Sequence, residues 1–197
     1  EISACLVGSE MCIRDSALMM AVDRQALVDG AWSGYGTPIG SHYTPNDPGF
    51  KDLTGHLAYN PDAAKNLLAE AGYGNGLSIS IKVPQMPYAV RSAEILQAFL
   101  AEIGVSLEIV PTEFPAAWVS DVLQNHDFDM TIVAHAEPMD IDIFARPDYY
   151  FGYANPAFND VISRAEAAGD SAVRDSLYGD CLLYTSDAAD ERSSVDL

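Results

Sequence analysis

Positive charge is scarce in this sequence: 10 Lys and Arg stand against 29 Asp and Glu, a formal net charge of −19. Recognition of a nucleic-acid backbone needs a basic face, so the charge argues against that class of function and no nucleic-acid partner is expected. The acidity speaks first for solubility and only weakly for a cationic ligand. No apolar run approaches the ~18 residues of a membrane-spanning helix. Cysteine is sparse as well. Cys5, Cys12 and Cys181 are all near the ends, and no disulfide framework or thiolate metal site is read from them. A Gly-rich phosphate loop, a His-Glu-x-x-His and a Gly-x-Ser-x-Gly are also lacking, so no catalytic residue and no cofactor is assigned. What is present is a chain of 197 residues, 49% hydrophobic, enough for a core in one domain or slightly more.

The placement of the cysteines follows from the ends themselves. Leu6–Asp15 and Cys181–Glu191 resemble the two ends of a translated sequencing-library adapter. The codons ATG TGT ATA AGA GAC AG encode Met-Cys-Ile-Arg-Asp, as at Met11–Asp15. Their reverse complement, read one base in, encodes Cys-Leu-Leu-Tyr-Thr, as at Cys181–Thr185. One DNA element on opposite strands therefore accounts for both pentapeptides. Residues 1–16 and 181–197 are expected to be adapter-derived and are set aside from the fold. The remaining residues, 17–180, hold no cysteine, which fits an exported protein.

Between these ends, Met20, Val22, Leu27 and Val28 predict a helix over 17–32. Residues 33–54 are rich in Gly and Pro and read as a long irregular loop. Asn60-Pro61-Asp62 opens the next helix with a capping side chain, a proline suited to the first turn and an acid at the positive end of the dipole. Alternation of Leu77, Ile79, Ile81 and Val83 with Ser78, Ser80 and Lys82 predicts a strand with one buried face. A strongly amphipathic helix over Tyr88–Ile103 and a second strand over Val105–Val110 follow. Pro115–Asn125 reads as a short helix with Trp118, Val119 and Leu123 on one side. Phe128–Ala134 is a continuous apolar run, as expected of a central third strand. A helix from Pro156 to about Ala168 and the start of another at Ser171–Tyr178 complete the order. Strands separated by helices predict an α/β layer.

Several segments then resemble one family in the right order. Ala21–Val28 resembles an "AIDRxALI" helix, and Gly36-Thr37-Pro38 the "ATP" turn after it. Tyr59–Tyr73 is similar to "YDPEKAKxLLxEAGY", the most specific of these matches. Gln97–Val105 resembles "QxxLxxIGI", His126–Met130 "xxDFDM" and Gly152–Asn159 "GYSNPEFD". The family is the peptide/nickel class of ABC-transporter solute-binding proteins, bacterial extracellular family 5. The resemblance implies an α/β fold: one lobe of a two-lobed, periplasmic-binding-protein-like (type II) clamp, with a mixed sheet flanked by helices. Residues 17–170 would form the partial lobe, and 171–180 would begin the return towards a lobe outside this sequence. It implies a monomer, outside the cytoplasm, that delivers peptides or related small solutes to an ABC permease, with no enzymatic step. A signal peptide is expected to be missing from this fragment. The match departs at Ala134–Pro138, where relatives often carry Gly-Trp and an Asp-rich loop.

Ligands of α/β layers sit beyond the carboxyl ends of the strands. His135, Glu137, Asp140 and Asp142 follow the third apolar run directly and are the candidate ligand-binding residues. In the resembling family an acidic residue of this loop pairs with the peptide amino group; Asp140 and Glu137 both fit. Tyr149, Tyr150 and Phe151 add aromatic surface in the same loop, either as ligand contacts or as packing beneath it. Trp32, Tyr35 and His42 flank the other long loop and are candidates to line the same cleft. Two readings stand beside this one: a metal-chelate binder of nickel type, and a hydrolase built on the carboxylates. His126 with Asp127 and Asp129, or His135 with Glu137, fall short of the three or four converging ligands a closed metal site needs. No metal ligand is assigned.

Overall fold

Asp23 divides the first apolar stretch in two. Its carboxylate accepts hydrogen bonds from the backbone N–H groups of Gln25 (3.0 Å) and Ala26 (3.1 Å), which caps a new helix. The single helix expected over 17–32 is therefore α1 (Ser9–Met20) and α2 (Arg24–Trp32) in the computed structural model, which describes residues 9–135, 139–153 and 155–186. The irregular segment after α2, expected over 33–54, runs on to Asn60.

Asn60 then caps α3 (Pro61–Leu68): its side-chain oxygen accepts from Ala63 N–H at 3.0 Å, and Pro61 occupies the first turn. The helix ends in a wide turn, Ala69–Tyr73, where Gly72 takes φ +88°, a left-handed conformation open to glycine. Asn60→Ala is expected to cost about 1 kcal/mol of stability through loss of the cap. A urea titration showing no change would mean that water caps the helix equally well.

β1 (Leu77–Pro84), α4 (Pro87–Glu102) and β2 (Val105–Thr112) form a crossover unit, with β1 and β2 parallel in the register Leu77 to Val105 through Pro84 to Thr112. α5 (Ala116–Trp118) runs into a wide helical turn, Val119–Gln124. That winding turns Val122, rather than Val119 or Leu123, fully inward. β3 (Met130–Thr131) pairs parallel with β1 through Ile81–Met130 and Lys82–Thr131, giving the order β2-β1-β3.

Two expectations change here. The central strand of the described sheet is β1, and β3 is two residues long at its edge. The apolar run at 128–134 does not continue the ladder because side chains take over its hydrogen bonds. Asp129 accepts from Ser80 N–H and from its hydroxyl, both at 2.8 Å, and the Thr131 hydroxyl donates to the Lys82 carbonyl at 2.9 Å. The sheet expected to be mixed is parallel in every pairing among the described residues, because helices carry each crossover.

One core packs α1, α2, α3 and α4 on the sheet face of Ile81, Val83, Leu107 and Met130. A second core is mainly aromatic. It gathers Tyr43, Trp118, Phe144, Tyr150, Phe151, Tyr153 and Phe158 with α6 (Pro156–Ala167) and α7 (Ser171–Ser186). α1 and α7 each run across a boundary marked by the codon pattern, and Cys181 and Leu182 are buried in this second core. Among the described residues no helix is long and apolar enough to cross a membrane.

Candidate functional site

The loop that leaves the carboxyl end of β3 meets the long segment after α2. Tyr43, 1% exposed, anchors that segment in the aromatic core, edge-on to Tyr178 at 6.3 Å. Burial pushes its phenol well above the ordinary range, with the charges of Tyr178, Cys181, Asp47 and Asp140 adding to the effect. The Ser41 hydroxyl donates to the Lys51 carbonyl at 3.2 Å, and Asp47 accepts from Thr44 N–H at 2.7 Å. Gly40 lies so close to Leu53 that an added Cβ would sit 2.2 Å from its carbonyl carbon. Between these fixed points His42 projects towards the loop after β3.

Asp140 precedes a 3-10 turn, Ile141–Ala145, that buries Ile141, Ile143 and Phe144; Ile143 N–H donates to the Asp140 carbonyl at 2.9 Å. The turn sets the carboxylate against His42, with Oδ1 2.6 Å from Nε2 and both side chains 13% exposed. The other oxygen, Oδ2, lies 3.8 Å from Nδ1 of His135. His135 in turn shares a hydrogen bond at 3.0 Å between Nε2 and the Tyr150 hydroxyl, and the rings stack at 6.4 Å with 10° between planes. Two histidines on loops far apart in sequence thus converge on one carboxylate.

The other expected residues divide. Asp142 turns away from Asp140 and accepts from Arg146 at 2.7 Å as an exposed pair one helical turn apart. Tyr150 and Phe151 are each 5% exposed and form the floor under the loop; Tyr149 is half-buried above them. Glu137 lies outside the described residues. Among the described residues no group of three or more His, Cys, Asp or Glu side chains is arranged to hold a metal ion. A groove of about 390 Å³ beside β3, lined by Ile79, Phe128, Met130 and Tyr150, backs onto the site through the Tyr150 ring.

Tyr88 escaped the linear reading. It reads as an ordinary first-turn residue of α4, yet its hydroxyl accepts from Ala134 N–H at 3.0 Å and holds the loop one residue before His135. Its ring lies 5.4 Å from that of Trp32. Hydrogen bonding across this distance in sequence leaves no local signal.

Residues 16–158 match the profile of the bacterial extracellular solute-binding proteins, family 5 Middle. The chain belongs to this family. Over 193 residues it is 28% identical to the dipeptide-binding protein of Escherichia coli (strain K12), covering 88% of this chain and 35% of that protein. Over 103 residues it is 34% identical to heme-binding protein A of Haemophilus influenzae (strain ATCC 51907 / DSM 11121 / KW20 / Rd), covering 50% and 19%. The dipeptide-binding protein of Pseudoalteromonas sp. SM9913, solved with Met-Leu, shares the fold at a TM-score of 0.81 and 24% identity, over 91% of this chain and 38% of that one. The oligopeptide-binding protein AppA of Bacillus subtilis, solved with a nonapeptide, does so at 0.79 and 22%, over 92% and 41%. This family-5 chain therefore spans about a third of the length of the E. coli relative it matches, and the α/β architecture expected from sequence is that of these two solved structures.

Proposed function

We propose that the full-length protein is an extracytoplasmic solute-binding protein that delivers peptides or related small solutes to an ABC importer. In this reading it acts as a monomeric two-lobed clamp, with the present chain supplying most of one lobe, and solute contacts on both lobes favour the closed state. Family membership across residues 16–158 carries the proposal. The acidic loop at the carboxyl edge of the sheet supports it: Asp140 and Glu137 are the carboxylates offered to a ligand ammonium, a pairing that gives orientation as well as affinity.

A metal-chelate or haem ligand is the second reading. In its favour are the convergence of His42 and His135 on Asp140 and the similarity to a heme-binding protein. A hydrolase would draw on Asp140 and Asp142, which are engaged by His42 and Arg146. Native mass spectrometry of the full-length protein separates these readings. A retained peptide or small amine is the expected result; a retained metal chelate or haem would move the assignment to the second reading.

We also infer that residues 1–16 and 181–197 are adapter-encoded. Two buried polar atoms support this, since neither has a hydrogen-bond partner among the described residues: Asp15 Oδ2, inside the first segment, and the Tyr43 hydroxyl, beside Cys181 of the second. Sequencing the natural gene across both junctions tests it. Unchanged codons on either side would overturn the inference.

A further inference from the structure

We infer that Trp32, Tyr35 and Asp29 form a subsite that selects solutes carrying a cationic aliphatic side chain, such as that of lysine or arginine; this rests on the peptide-binding reading above. Trp32 is 46% exposed and Tyr35 84%, so both aromatic side chains reach solvent. They sit at the carboxyl end of α2, whose C-cap, Ser33, takes a left-handed φ of 55° and turns the chain at once into Gly34 and Tyr35. The last turn of α2 carries no basic residue, so the negative end of its dipole is uncompensated from within the helix. Asp29, one turn before Trp32, adds a full negative charge. Gln25 fixes one of its oxygens at 2.9 Å, and that same oxygen would lie 3.7 Å from a Cβ placed on Gly34.

An aromatic face attracts a cation through its quadrupole, most strongly when it is tryptophan. A lysine or arginine stem can lie along the ring while its head reaches the carboxylate. The subsite is continuous with the candidate site. The Trp32 ring meets the Tyr88 ring at 5.4 Å, and the Tyr88 hydroxyl holds the backbone of Ala134, next to His135. A solute whose ammonium is held by the acidic loop would thus extend its side chain across Tyr88 towards Trp32.

The test compares Ala-Ala, Ala-Lys and Ala-Phe binding to the full-length protein by calorimetry. The wild type is expected to favour Ala-Lys. Trp32→Leu should weaken Ala-Lys about 3- to 30-fold, and more than it weakens Ala-Ala. Asp29→Asn, an exposed change that the fold tolerates, should weaken Ala-Lys alone by about 2- to 5-fold and reduce its dependence on salt. An equal loss for all three peptides from Trp32→Leu, or an unchanged preference in both variants, would overturn the subsite. A loss confined to Ala-Phe would reassign it to apolar side chains. If the wild type binds none of the peptides, the peptide-binding reading itself falls and takes the subsite with it.

Discussion

Phe158→Ala is expected to lower the stability of the chain by about 3–5 kcal/mol, the usual cost of removing a fully buried aromatic ring from a core that cannot collapse around the gap. Phe158 has no exposed surface. Asn155 places it: its side-chain oxygen accepts from Ala157 N–H at 3.0 Å and from Phe158 N–H at 3.2 Å, which starts α6 and directs this ring inward. The ring then meets Tyr153 edge-on at 5.3 Å and Phe144 at 6.2 Å. Phe144 belongs to the 3-10 turn that follows Asp140, so the cavity would open beneath the candidate site. A urea titration followed by Trp118 fluorescence reads the effect, because Trp118 is buried in the same aromatic core. Glu166→Ala, on the exposed face of α6, is the control and should change little. A loss below ~1 kcal/mol for Phe158→Ala would mean that the second core is loosely packed.

Asp140→Ala is expected to separate the two long loops. His42 and Asp140 are mostly buried and meet at 2.6 Å, and His135 approaches the second oxygen. A hydrogen bond to a charged group contributes roughly 1.5–3 kcal/mol, and removing one partner leaves the other desolvated. A double-mutant cycle with His42→Ala should therefore give a coupling energy of about 1.5–3 kcal/mol. Amide hydrogen exchange should show residues 41–54 opening more readily in the single variant. Coupling near zero would make the pair incidental and leave Tyr43 as the anchor of the loop.

The sequence was most informative where a local rule acts alone. Asn60 and Pro61 announce α3, and the alternation from Leu77 to Val83 announces β1, because capping and pleating act over a few residues. It misled where side chains substitute for backbone. Nothing in the run 128–134 says that Asp129 will take the N–H of Ser80, or that Thr131 will satisfy the Lys82 carbonyl, and so β3 is shorter than its hydrophobicity suggests. Asp23 could have been read as a cap, but the apolar residues on either side of it keep helical spacing and hid the break. At the site, the acidic loop is legible from its place after an apolar run. The contribution of His42 is not legible, since its partner is 98 residues away. The aromatic trio at 149–151 shows the same limit: composition identifies flat rings, and only the packing of Phe144 and Phe158 shows that two of the three face the core.

The sheet order also dictates a sequence of events as the chain leaves the ribosome. β1 pairs with β2 through a single helical crossover, so β1, α4 and β2 can assemble while β3 is still unmade. Until Asp129 emerges, 49 residues after Ser80, the open side of β1 presents bare backbone donors and acceptors, the kind of edge that recruits a neighbouring chain. Lys82 lies on the face of β1 opposite Ile81 and Val83, and on the finished protein its ammonium is held by Asp121 at 3.1 Å and Asp127 at 2.8 Å. On the nascent chain the same lysine is an uncompensated charge in the middle of an unfinished edge, where it opposes aggregation for as long as the edge stays open.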